Sequence, residues 1–457
     1  MTRWTSDNLV GKTVTVVGLG KSGLASARFC RAAGATVTVS EAGQADGFAE
    51  AIGHLEPIGV ALEFGPHRPK TFEKADLIIL SPGVPHTIAP LEAARRRGIP
   101  VIGEMELAAR FIAEPIVAVT GTNGKTTTTE LLGAMLRASG LDVFVGGNIG
   151  TPLIEYVESG RTADWLVVEV SSFQLDTMDR FHPRIGCLLN ISEDHLDRYP
   201  DYTAYAAAKW GLFRNQTAED TAVINGALSD AGTLTQSLPG QTLFFNGAPD
   251  GRQASARIHE DRLNLDFGNG SAGVALDLSA MQLIGRHNAE NVAAASLAAL
   301  AAGAAPTAIQ TALNDFRGKP HRVYFVREVQ GVRYYDDSKG TNVDAVARAL
   351  DSFHQPVVLI MGGRDKGGSY RVLEERLEQK VRQLIVMGEA ATTITSALQH
   401  IVPIQSVDDM AAAVRLASHT ARAGQVVLLS PACSSYDMYE NYHQRGEDFC
   451  RHVQQLA

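Results

Sequence analysis

The run IVAVTGTNGKTT, residues 116–127, constrains the fold more than any other stretch of the chain. Its β-branched start reads as a buried strand. It opens into a loop bracketed by Gly121 and Gly124 that ends on Lys125 and the hydroxyls of Thr126 and Thr127. Backbone N–H groups from Gly121 through Thr122, Asn123 and Gly124 to Lys125 are expected to converge on an anion at a helix N-terminus. Lys125 adds a mobile positive charge and Thr126 a hydroxyl for Mg²⁺. The loop therefore predicts a site for the β- and γ-phosphates of a nucleotide. It departs from GxxxxGK[ST] spacing, because Val119 stands where the first glycine would be and Gly121 follows two residues later. An ordinary strand-to-helix turn is the plainer alternative. The clean strand before the loop and the helix-forming TTTELLGAMLRASG after it favour the nucleotide.

A length of 457 residues leaves room for about three domains. The 45% hydrophobic and 20% charged content is that of a globular protein. No apolar run approaches bilayer length, and the start MTRWTSDNLVGKTVTVVG lacks the pattern of a secretory signal, so a cytoplasmic, membrane-free protein is expected. Cys30, Cys187, Cys433 and Cys450 lack CxxC spacing and read as packed thiols. A formal net charge of −9 disfavours nucleic acid as a partner. Positive charge for anionic ligands must therefore be local.

Strand and helix patterns alternate over the first hundred residues, as KTVTVVG, ATVTVS, ADLIILS, PLEAARRRG and PVIG. A second α/β unit starts at Ile116 and continues through DWLVVEV and IGCLLN. Between about 241 and 284 the segments FF, ARIHEDRLNLDF and GVALDL predict a small antiparallel patch. After GKPHR a third α/β region runs through VYFVREVQGVRYYDDS, PVVLIMGG, QLIVMG and VVLLSPA. The expected fold class is α/β in three domains: Rossmann-like at 1–104, a central P-loop-type unit with a mainly parallel sheet at 105–318, and a second Rossmann-like α/β domain at 319–457.

Gly18, Gly20 and Gly23 form GLGKSG after the first strand, and Glu41 closes the next strand about 20 residues on, as a ribose-binding acid would. Alone, this predicts a dinucleotide oxidoreductase, but a simple dehydrogenase has no use for a second phosphate loop. Glu169 ends the strand of VVEVSSFQLD, His195 lies in NISEDHLDRY and Lys209 in the alanine-rich YAAAKWGLF. Glu169 and His195 are candidate Mg²⁺ ligands beside the phosphates. Three polar loops complete the third region: DDSKGTNVDA with Asp337, Lys339 and Thr341, MGGRDKGG with Lys366, and SPACSSYDMYENYHQRGEDF with Ser435 and Tyr442. Singly each reads as a solvated loop, but together they look like a carboxylate-recognising site.

In order along the chain, GLGKSG, SPGVP, GTNGKTT, GGNIG, EVSSFQL, NISEDHLDRY, AAAK, HNAEN, PHR, DSKGTN, GGRDKGG and SPACSS resemble the motifs of the Mur ligases. That family comprises ATP-dependent amide-forming enzymes of the peptidoglycan stem peptide. The resemblance spans essentially the whole chain. It implies a first domain for the UDP of the substrate, a second for ATP, and a third that closes over both with the incoming amino acid. It implies that residues 121–127 bind the ATP phosphates, that Thr126 and Glu169 share one Mg²⁺, and that His195 with Lys209, as an N-carboxylated carbamate, holds a second. Asn288 and Asn291 would face the adenine, and Arg322 and Asp337 the phosphate and ribose ends. Thr341, Lys366, Ser435 and Tyr442 would contact D-glutamate with Lys339 nearby, Asn148 the muramoyl-peptide side, and Lys21, Ser22 and Glu41 the UDP pocket. Phenylalanine is usual in the family where Tyr442 stands. The DNPR motif of members that add a diamino acid is absent, and GGRDKGG in its place favours glutamate.

The implied reaction phosphorylates the free carboxylate of UDP-N-acetylmuramoyl-L-alanine from ATP, after which the amine of D-glutamate attacks the acyl phosphate. A monomer is expected. Three rivals stay open from the residues: another Mur or folylpolyglutamate-type amide ligase, an NAD-dependent dehydrogenase, and a non-catalytic nucleotide switch.

Overall fold

The computed structural model describes every residue except 1–2, 196–197, 269–272, 282, 284, 319 and 457. Its first sheet has five parallel strands in the spatial order Ala61–Phe64, Thr36–Glu41, Thr13–Val17, Leu77–Leu80, Val101–Gly103. Strand order reverses between Thr13–Val17 and Leu77–Leu80, so a crevice opens beyond the carboxyl end of Thr13–Val17, where GLGKSG stands. A methyl group on Gly23 would lie 2.0 Å from the Gly18 carbonyl oxygen. That glycine is therefore demanded by packing of the helix Lys21–Ala32 on its strand, whatever ligand the loop takes.

The central sheet has six parallel strands in the order Gln241–Phe245, Thr221–Asn225, Ile185–Leu188, Ile116–Thr120, Trp165–Glu169, Val143–Gly147. The FF of Gln241–Phe245, expected in an antiparallel patch, instead pairs parallel with Thr221–Asn225. Leu243, Phe244 and Phe245 form a continuous buried run, which suits a strand covered on both faces. The antiparallel patch is confined to Ala256–His259, Arg262–Leu265 and Val274–Asp277, where exposed and buried residues alternate along Arg262–Leu265.

The last sheet runs Tyr324–Val329, Val332–Asp336, Val426–Leu429, Val357–Gly362, Val381–Met387, Ile404–Ser406. Its first pair is an antiparallel hairpin turned by Gln330 and Gly331, both at positive φ, and its other pairings are parallel. The three polar loops of this region follow Val332–Asp336, Val426–Leu429 and Val357–Gly362. Those strands are neighbours, so the loops share one sheet edge.

One face of the central sheet buries the helices Lys125–Ala138, Arg286–Ala301 and Pro306–Asp315, with Leu132, Met135, Val292 and Ile309 in a common core. The other face shares a core with the first sheet, joining Val14, Ile79 and Leu107 to Ile154, Val168 and Phe213. The short helix Glu104–Ala109 sits between them. Glu104 Oε1 accepts the Ile154 N–H at 2.7 Å, and Glu106 Oε2 accepts the N–H groups of Asp179, Arg180 and Phe181 at 2.9–3.1 Å. The thiols of Cys30, Cys187 and Cys433 are buried and that of Cys450 is half-buried, all unpaired with one another.

Candidate active site

The strand Ile116–Thr120 lies in the middle of its sheet, flanked by Trp165–Glu169 and Ile185–Leu188, so three strand ends deliver their loops to one place. Gly124 stands at the helix N-cap with φ +83°, and a methyl there would lie 2.2 Å from Asn291 Oδ1. The loop N–H groups do not all face a ligand. Thr122 donates to the Asn190 carbonyl at 2.9 Å and Asn123 to Asn190 Oδ1 at 2.8 Å, while Asn190 Nδ2 donates to the Asn123 carbonyl at 2.9 Å. The expectation that every N–H from Gly121 to Lys125 serves an anion is corrected accordingly. The helix's own first N–H groups have no intrahelical partners, and a helix N-terminus of this kind favours an anion.

Lys125 Nζ curls back to donate to the carbonyls of Gly121 and Thr122, each at 2.8 Å. Burial lowers its pKa, while Glu169 and Asp194 act in the opposite sense. The Thr126 hydroxyl donates to Glu169 Oε2 at 2.7 Å and accepts from Arg322 Nη2 at 2.6 Å. Glu169 Oε1 accepts from Asn148 Nδ2 at 2.8 Å. Thus Lys125, Thr126, Asn148, Glu169 and Arg322, scattered over 198 positions of sequence, form one contiguous polar cluster. Lys209, on the helix Tyr202–Trp210, is almost wholly buried, donates to the Gly121 carbonyl at 2.9 Å and stacks 4.5 Å from the Tyr205 ring centre. Burial, then the nearby Lys125, pulls its pKa well below the ordinary lysine value.

A narrow cleft of about 80 Å³ adjoins this cluster at Arg322 and runs between the central and last sheets. Thr127, Asn288, Asn291, Asp337 and Lys339 line it. Asp337 is buried, accepts from the Ser430 hydroxyl at 2.7 Å, and is pushed up to about 7 by that burial. Burial, with Arg322 next, draws Lys339 down to about 7, and its ammonium lies 4.0 Å from the Tyr442 ring centre.

A second focus forms around Asp194. Asn342 Nδ2 donates to its Oδ2 at 3.1 Å, and Lys366 Nζ stands 4.0 Å from its Oδ1 and donates to Thr341 Oγ1 at 3.3 Å. Burial would raise the Asp194 pKa, but Lys366, His195 and Asn342 hold it below the ordinary range. His195 adopts φ 56°, and its ring packs edge-on against Phe173 at 4.8 Å. Ser435 is buried on the same sheet edge, its carbonyl accepting from Met438 and Tyr439. Ser22 and Glu41 lie apart, at the first sheet. Glu41 spends its two oxygens on the N–H groups of Leu19 at 2.7 Å and Gly43 at 2.8 Å, closing loops around the crevice.

Sequence reasoning passed over Asn190, Ser192, Asp344 and Arg348, which tie the phosphate loop to the last domain. The signal for Asp344 was its place in the first turn of Val343–Asp351, just after the N-cap Asn342. Among the described residues no group of three or more His, Cys, Asp or Glu could hold a metal ion, and no helix is long and apolar enough to cross a membrane.

Three family models match: Mur ligase MurD-like, N-terminal domain over 12–103, Mur ligase middle domain over 119–299, and Mur ligase, glutamate ligase domain over 321–433. The chain is 50% identical over 450 residues to a UDP-N-acetylmuramoylalanine–D-glutamate ligase of Desulfatibacillum aliphaticivorans, covering 98% of this chain and 99% of that one. It is 48% identical to the ligase of the same name from Desulfosudis oleivorans, covering 97% and 96%. Among solved structures, a pseudomurein peptide ligase type C from Methanothermus fervidus matches with TM-score 0.62 at 18% identity, covering 98% of this chain and 100% of that one. The UDP-N-acetylmuramate-alanine ligase of Thermotoga maritima matches with TM-score 0.58 at 19% identity, covering 97% and 99%. At those identities the likeness is one of fold.

Proposed function

The chain belongs to the Mur ligase family, and on that footing we propose that it joins D-glutamate to the free carboxylate of UDP-N-acetylmuramoyl-L-alanine at the expense of ATP. The observation that carries the reading is the meeting of Lys125, Thr126, Glu169 and Arg322 in one polar cluster, with Arg322 and Lys339 lining the adjoining cleft and Lys366 beside Asp194. Cations from two domains flank a phosphate loop there, in a protein of net charge −9. Bringing two polyanions together requires such local charge.

The roles divide along the chain at about residues 104 and 318. The 1–104 domain takes the UDP of the substrate at GLGKSG, with Ser22 and Glu41 shaping the pocket. This replaces the dehydrogenase reading, since family membership accounts for the glycines without a redox cofactor. The 105–318 domain takes ATP: the helix N-terminus and Lys125 hold the β- and γ-phosphates, and Asn288 and Asn291 with Asp337 hold the nucleoside. The 319–457 domain presents D-glutamate through Thr341, Lys366, Ser435 and Tyr442, with Lys339 close by. Asn148 faces the muramoyl-peptide.

Mg²⁺ fits here because Thr126 and Glu169 already bring two oxygens together at 2.7 Å, the donor type a hard cation prefers. Those residues would hold one ion and His195 with Lys209 a second, supplying charge neutralisation and polarisation of the transferred phosphoryl group. Arg322 must leave the Thr126 hydroxyl when that oxygen turns to a cation. Lys209 serves as a carbamate in this reading, since burial favours the neutral amine, whose lone pair adds to the carbon of CO₂ with loss of a proton. Catalysis then rests on positioning and electrostatic stabilisation: Lys125 and Arg322 face the phosphoryl group, and Lys366 orients the incoming amino acid. The enzyme works in the cytoplasm as a monomer.

Coupled phosphate release tests the proposal. Release is expected only when ATP, Mg²⁺, UDP-N-acetylmuramoyl-L-alanine and D-glutamate are all present. Equal turnover with L-glutamate, L-lysine or meso-diaminopimelate would overturn the amino-acid assignment.

A further inference from the structure

Asp344 lies on the last domain, in the first turn of Val343–Asp351, yet it reaches the phosphate loop. Its Oδ2 accepts three hydrogen bonds: from Asn123 Nδ2 at 2.8 Å, from Ser192 Oγ at 3.0 Å and from Arg348 Nε at 2.8 Å. The first two donors belong to the central domain and the third to Asp344's own helix. The main chain of Asn123 is already clamped by Asn190 on both its N–H and its carbonyl. Its side chain is therefore the handle by which another domain can grip this loop. The helix bearing Asp344 is itself registered nearby, since Asn342 caps it through the Ala345 N–H at 2.8 Å and donates to Asp194 at 3.1 Å.

We propose that Asp344 is a positioning residue that couples docking of the last domain to the shape of the phosphate loop, through its bond to the Asn123 side chain. Gly124, next to Asn123, is the left-handed N-cap whose placement sets the anion-facing helix N–H groups. Holding Asn123 thus holds the cradle. An undocked last domain leaves the loop without this bond, and nucleotide binding and docking favour each other, as linkage requires. The identity of the anion rests on the function proposed above. The coupling does not require the ligase reaction.

The experiment is a double-mutant cycle on nucleotide affinity, with MgATP titrated onto the full chain in the absence of the other substrates. Asp344→Ala and Asn123→Ala should each weaken binding about tenfold, the scale of one hydrogen bond to a charged group. The double variant should be no worse than the weaker single, because both remove the same bond. Asp344→Asn keeps an oxygen that accepts from Asn123 while losing the charge beside Arg348, and should recover most of the lost affinity. Losses that multiply in the double variant, or wild-type affinity in Asp344→Ala, would overturn the proposal. So would an Asp344→Asn as weak as Asp344→Ala, which would assign the effect to Arg348. If Asp344→Ala fails to fold, Asp344→Leu, which also removes the acceptor, takes its place in the same cycle: a double variant no worse than the weaker single supports the coupling and multiplied losses refute it. A wild-type chain that binds MgATP but turns over no substrate would defeat the ligase assignment and leave this cycle readable.

Discussion

Replacing Gly124 by alanine puts the geometry of the phosphate loop to a quantitative test. Its backbone holds φ +83°, where a side chain costs about 1–2 kcal/mol. The added methyl would also lie 2.2 Å from Asn291 Oδ1, so that amide must swing away and give up its 3.2 Å bond to Asn288 Oδ1. The lost bond adds about 1 kcal/mol, for a total of about 2–3 kcal/mol. For a unit the size of the central domain this lowers Tm by about 4–12 °C. MgATP affinity should fall with it, because the relaxed loop moves the N–H groups that face the anion. Thermal unfolding and nucleotide titration read the two effects separately. Gly53→Ala is the control of opposite sign: it is an exposed position of the helix Ala49–Leu55, a methyl there meets nothing within 4 Å, and it should stabilise by about 0.5–1 kcal/mol. A Gly124→Ala protein with Tm within about 1 °C of wild type and unchanged MgATP affinity would refute the reasoning.

Other substitutions separate the roles of the three domains. Lys125→Ala should abolish turnover while binding of UDP-N-acetylmuramoyl-L-alanine survives, and Lys366→Ala should act mainly by raising KM for D-glutamate; joint loss of UDP-substrate binding in Lys125→Ala, seen by titration, would break that division. Lys209→Ala should be nearly inactive and partly rescued by a short-chain carboxylic acid that replaces carbamate oxygens, whereas near-normal activity would leave Lys209 a packed amine. Stability should also depend on Glu104, whose pKa burial raises from 4.5 to about 7 and whose Oε2 has no hydrogen-bond partner among the described residues. Because the folded value is the higher one, its favourable contribution is complete below the unfolded pKa and is lost as pH rises through about 7. Denaturant unfolding of Glu104→Gln should therefore gain on wild type with rising pH, by up to about 3 kcal/mol, and a difference that stays constant from pH 5 to 8 would contradict it.

What the sequence alone determined was local. The β-branched run ending at Thr120 and the helix after Gly124 need only near neighbours in the chain, and the strand–loop–helix form of that stretch was legible for that reason. The same holds for the glycines of GLGKSG and for the alternation of strand and helix that specifies parallel sheets. Tertiary structure decided the rest. The strand Gln241–Phe245 joined a parallel sheet because burial on both faces depends on what packs there, which a two-phenylalanine run does not encode. Asn190 took N–H groups that sequence assigned to an anion, because parallel pairing of Ile185–Leu188 with Ile116–Thr120 brings it beside the loop. Glu41, a ribose acid by spacing, met two backbone donors at the mouth of its own loop. Asp344 drew its importance from docking of a domain more than two hundred residues along the chain from Asn123. Sequence patterns report which groups are available, but donors and acceptors pair across distances of a few ångströms, and only the folded chain sets which of them come that close.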